Sequence, residues 1–218
     1  MDKKKPFWDL EETQGFVRVT ANDGLEYKVW NEGTGETIQK VADILAQCRR
    51  SINKILVYMY NNPDKWISHP IAFGVYLAFD IHAHGCDEGV LSDPDAVNLI
   101  NRTTTRLFNY QEMRPNKHGI LGLNKPKQTK YIDVVLDNEK IEYELATQRS
   151  IFLTIRPKLE RGDAETFDKP EKILDLLIHE FAHTVCNDTQ WKEDNHQHPY
   201  NKYHNMIIQF AKDAGIKF

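Results

Sequence analysis

His179, Glu180 and His183 stand in the pattern H-E-x-x-H. On a helix, positions i and i+4 fall about 40° apart, so both imidazoles project from one face and can share a metal ion. Glu180 is adjacent to them, where its carboxylate can meet a metal-bound water instead of the metal. Zinc held this way lowers the pKa of that water to about 7, and the carboxylate can take its proton and pass it to a leaving amine. The chemistry that these residue types predict is hydrolysis of a peptide bond.

A catalytic zinc takes three protein ligands and keeps a fourth position open. The third is expected from chain that folds back under the helix. Asn187-Asp188 offers a turn, and His196-Gln197-His198-Pro199-Tyr200 follows it. His196 and His198 both satisfy the spacing, with His204 as a further alternative.

The H-E-x-x-H residues need a rigid support. Pro170 opens a helix predicted to run to about Cys186, with Asp168 and Glu171 placed to cap it. Its opposite face, Ile173, Leu174, Leu177, Ile178, Phe181 and Val185, is apolar and predicted to be buried. A last helix after Pro199 carries the stripe Tyr200, Tyr203, Ile207 and Ala211, which is expected to pin the preceding histidines against the first. Upstream, Phe16–Val19 and Leu25–Trp30 flank Asn22-Asp23-Gly24 and predict a hairpin. Ile38, Val41, Ala42, Leu45, Ile52, Leu56 and Met59 recur at helical spacing from Thr37 to about Asn61, with Cys48 on the same stripe as a core residue.

Other segments are less patterned. A short apolar helix or buried segment is expected near Ile71–Phe79 and a helix from about Asp93 to Phe108. Residues 114–130 carry five Lys or Arg and no acid. Their Gly119, Gly122, Pro115 and Pro126 argue for a loop. Tyr131–Leu136, Ile141–Ala146 and Ile151–Ile155 are rich in β-branched and aromatic residues and predict strands. The sum is one α+β domain over 15–218, preceded by a polar, loose 1–14.

Composition bounds the function. The 218 residues are 40% hydrophobic, enough for a core, and the net charge of -4 excludes a strongly basic nucleic-acid binder. Neither a membrane span nor a signal peptide is expected, and three dispersed cysteines suggest no disulfide framework. The expected setting is intracellular, in cytoplasm or nucleus.

His179-Glu180-Phe181-Ala182-His183-Thr184, followed by Asp194-Asn195-His196 and by Tyr200 four residues later, resembles the zincin metallopeptidases of the WLM and SprT-like kind, including compact relatives in large DNA viruses. The resemblance covers roughly residues 36–214, but the link from His183 to His196 is longer than in the tightest such motifs and Tyr200 replaces the usual Phe. It implies a zincin-like α+β fold built from a long amphipathic helix, a small sheet and the H-E-x-x-H helix. It also implies one zinc ion on His179, His183 and His196, Glu180 as general base, and a protein or peptide substrate. Tyr200 favours His196 over His198, which has Lys202 in the corresponding place. Some family members cleave proteins crosslinked to DNA. An exposed strand edge beside the zinc is expected to receive the substrate as an added strand, with Ile151–Ile155 or Tyr131–Leu136 as that edge. The alternative is a non-enzymatic module in which zinc is structural and the domain binds a protein or, through a patch formed by 114–130, a nucleic acid. His82, His84 and Cys86 lack a partner cluster and read as ordinary surface or packing residues, and Cys186 as a small apolar residue at the helix end.

Overall fold

The computed structural model describes residues 15–65, 108–116, 119–126, 130–136, 139–145, 149–185 and 200–217. It is a mixed α+β fold. The N-terminal hairpin forms as its sequence predicts: β1 (Phe16–Thr20) and β2 (Glu26–Trp30) pair antiparallel from Phe16 opposite Trp30 to Thr20 opposite Glu26. Its turn closes through the Gly24 N–H on the Ala21 carbonyl at 3.0 Å, with Gly24 at φ 79°, a conformation that costs glycine little.

Helix α1 (Gly35–Asn61) starts where Thr34 caps it, its hydroxyl accepting the Thr37 N–H at 3.1 Å. Val41, Leu45, Ile52, Ile55 and Met59 are fully buried along its inner face. Cys48 is buried with them, and burial pushes its thiol up to about 12, so it is an inert core residue.

Five strands form one sheet in the order β1-β2-β3-β7-β4, with β3 at Phe108–Glu112, β4 at Gly122–Pro126 and β7 at Arg149–Leu153. β3 lies parallel to both β2 and β7, whereas β4 runs antiparallel to β7 on the sheet's edge. The other two strands, β5 (Lys130–Leu136) and β6 (Glu139–Leu145), form a separate antiparallel pair. The two ladders share one register. Gly122 faces Leu153, Pro126 faces Arg149, Lys130 faces Leu145 and Leu136 faces Glu139, with three residues on each arm between the ladders.

Helices α2 (Pro170–Val185) and α3 (Tyr200–Asp213) contact each other and α1, and α2 also contacts β4 and β7. Of the predicted stripes, Ile173, Leu177, Ile178 and Phe181 on α2 are buried and Leu174 is half-buried, and Tyr200, Tyr203, Ile207 and Ala211 on α3 are buried, joined by Phe210. Among the described residues, no helix is long and apolar enough to cross a membrane.

Three expectations need correction. Phe108 does not end a helix but begins β3. The stretch 114–130 is not all loop, since β4 lies within it. Pro126 is tolerated there because an edge strand can spare a ladder N–H, and Gly122 serves a close approach instead of a turn. Ile151–Ile155 is not an exposed edge either. It enters β7, which sits between β3 and β4 with Ile151, Leu153 and Ile155 fully buried. These three share one face of the strand, and the other carries buried Ser150 and Thr154 with half-buried Phe152 between them. Residues 1–14, Ile71–Phe79, the greater part of the expected 93–108 helix, and His82, His84, Cys86 and Cys186 lie outside the described residues.

Candidate metal and catalytic site

The site is built on the C-terminal half of α2. His179 and His183 present their rings on the same side, one turn apart, with centroids 5.1 Å apart and planes at 76°. Zinc–imidazole bonds near 2 Å put each ring centre about 3 Å from the ion, so two rings at a tetrahedral angle lie about 5 Å apart. The pair fits a shared zinc in residue type and in separation.

Tyr200, the first residue of α3, braces this pair. Its hydroxyl donates to the His179 carbonyl at 3.0 Å, and its ring lies 5.3 Å from that of His179 and 4.6 Å from that of His183. The last helix therefore packs on the H-E-x-x-H helix, while the histidines it is expected to pin there, His196 and His198, lie outside the described residues. His204 stacks on Tyr200 at 5.7 Å and lies 5.9 Å from His179. Even so, no group of three His, Cys, Asp or Glu able to hold a metal is found among the described residues. His196 and His198 lie in 186–199, outside the described residues, so the third position of the predicted set is not placed.

Glu180 points away from solvent, its residue only 4% exposed. Burial alone pushes its carboxyl up to about 8 in the metal-free protein. The wall over it is β4. Asn124, itself buried, donates its side-chain amide to the Glu180 carbonyl at 2.6 Å and to the Thr184 hydroxyl at 2.7 Å. Gly122, two residues earlier, lies directly over the Glu180 carboxyl. A side chain there would begin 2.5 Å from Glu180 Oε1. Sequence reasoning missed Gly122 and Asn124. The one available signal was a glycine inside a strand-length segment, which marks close backbone approach as well as a turn.

The raised carboxyl gives a pH test in metal-free protein. An unfolded glutamate ionises near 4.5, whereas folded Glu180 keeps its proton to about 8. Below pH 4.5 both states are protonated and the contribution is fully present; as pH rises to 8 the unfolded chain ionises first and stability falls. Glu180→Gln cannot ionise. It is expected to match wild type in acid and then to gain on it in urea unfolding. The gain is up to about 1.4 kcal/mol for each pH unit, until the folded carboxyl itself ionises. Parallel stability curves across that range would show that the carboxyl is not shifted.

Comparison of the chain with protein-family models, with curated proteins and with solved structures found no match.

Proposed function

We propose that this chain is a zinc-dependent, zincin-like metallopeptidase, with His179 and His183 holding one zinc, His196 as the third ligand and Glu180 as the general base. The observation that carries the reading is the pairing of two imidazoles at zinc-sharing distance with a buried carboxyl between them in sequence, roofed by a sheet edge. Zinc, when bound, supplies Lewis acidity and a water of lowered pKa. The chain's own groups do the rest. Glu180 takes a proton from the attacking water and returns it to the leaving amine. Tyr200 and Asn124 hold two successive carbonyls of the active turn, those of His179 and Glu180.

β4 is the terminal strand of the sheet and contacts α2, which makes it the natural place for an extended peptide to add as a sixth strand. Leu121, just before it, is an exposed large apolar side chain suited to a substrate side chain. A DNA-associated substrate fits the resemblance in sequence. Of the basic residues in 114–130, Arg114 is paired with Glu32 at 3.0 Å and lies over the Trp30 ring, its side chain still 40% exposed.

Metal content tests the ligand set without any substrate. Wild type is expected to bind one zinc per chain, with His179→Ala, His183→Ala and His196→Ala each weakening binding by at least about 10²-fold and His198→Ala leaving it intact. Tight zinc binding in His196→Ala with loss in His198→Ala would reassign the third ligand. Retention in all four variants would remove the metal reading.

A further inference from the structure

We infer that Gly122 is a positioning residue for the general base: its missing side chain creates the slot that the Glu180 carboxyl occupies beneath the edge strand. The inference rests on the proposed metallopeptidase reading. Its physical basis is separate from the H-E-x-x-H spacing.

Gly122 does not have a positive φ, unlike Gly15, Gly24, Gly33, Gly119, Gly162 and Gly215, so backbone conformation does not explain a glycine here. Nor does strand propensity, which favours almost any other residue. Space does. A Cβ would fall 2.5 Å from Glu180 Oε1, 2.9 Å from Glu180 Cγ and 2.8 Å from Leu176 Cδ1. Leu176 precedes Glu180 by one helical turn, so the two side chains border the same slot.

Which partner would yield is settled by how each is held. β4 is bonded along its length to β7 and fastened to α2 by Asn124, which shares a strand face with Gly122. The Glu180 carboxyl sits at the end of three rotatable bonds. A methyl group at position 122 therefore leaves the strand in place and drives the carboxyl out of its slot, away from where the proton must be taken. The atoms that such a methyl meets first belong to Glu180 and Leu176, so the two histidines keep their places.

The test is Gly122→Ala in the full chain. Zinc content and KM are expected to match wild type, while kcat falls on the order of 10²-fold, the usual effect of a reacting group misplaced by about 1 Å. A crystal structure of the metal-free variant is expected to show the Glu180 carboxyl displaced. Glu180→Asp, shorter by one methylene, is expected to cost less in the Gly122→Ala background than in wild type, because the shorter side chain clears the methyl. If the Leu176 contact prevents folding, Gly122→Ala/Leu176→Ala relieves it and keeps the clash with Glu180. Unchanged kcat in an active protein, or a carboxyl still in its slot, overturns the inference while the metallopeptidase reading stands. A wild type that binds zinc and cleaves nothing defeats that reading instead, and the crystal structure then decides the role of Gly122 alone.

Discussion

Glu180→Gln is expected to lower kcat for peptide cleavage by about 10²–10⁴-fold with zinc content unchanged. Gln has the shape of the neutral acid that burial favours at this position, so the fold has no reason to move. What it loses is the ability to accept a proton. The direct measurement compares zinc-loaded wild type and Glu180→Gln on a DNA-crosslinked protein and on themselves, with and without single-stranded DNA. Cleavage by wild type alone supports the mechanism, and DNA dependence would place the substrate among DNA-bound proteins. Cleavage that survives in Glu180→Gln sinks the general-base assignment. Two inactive proteins that each hold one zinc would favour the non-enzymatic module.

Arg156→Leu is expected to cost about 3–5 kcal/mol of stability, read by urea unfolding. Arg156 and Glu112 are both 0% exposed and face each other with two bonds of 2.7 Å. The same guanidinium donates to the carbonyls of Trp30 and Glu32, and Glu112 also accepts the Trp30 N–H at 3.0 Å. The pair thus joins the ends of β2 and β3 to the chain leaving β7. Removing the arginine strands a carboxylate in the interior, which is far worse than losing the pair. Arg156→Leu/Glu112→Leu is therefore expected to recover much of the loss. Recovery stays incomplete because the Trp30 N–H and two carbonyls lose partners. A double variant no more stable than Arg156→Leu would show that packing, and not the stranded charge, sets the cost.

The three helices and the hairpin were legible because each writes its burial locally. α1 repeats apolar residues over seven turns, α2 and α3 carry clear stripes, and Asn22-Asp23-Gly24 is a strong turn signal. His179, Glu180 and His183 were legible for the same reason, since one helical turn fixes their relation. β3 was not, because one of its inward residues is Glu112, whose charge hides the alternation and whose partner lies 44 residues away. β4 was not, because Gly122 and Pro126 look like breakers until the strand is known to be an edge packed on α2. The roof of the site is a long-range contact between two segments, and local pattern cannot report such a contact.

The shared register of the β4–β7 and β5–β6 ladders governs how this chain can change length. Because the ladders Gly122–Leu153 to Pro126–Arg149 and Lys130–Leu145 to Leu136–Glu139 follow one register, residues added between Leu136 and Glu139 leave the pairing near the site untouched. A single deletion on one arm between Pro126 and Lys130 has the opposite effect. It puts the two ladders out of step by a residue, and a slip of β4 that restored the step would bring Leu121 or Leu123 to the place over Glu180 that Gly122 occupies. A tag or an added binding segment is thus best inserted between Leu136 and Glu139, and a change in count next to β4 is the one that would be felt over Glu180.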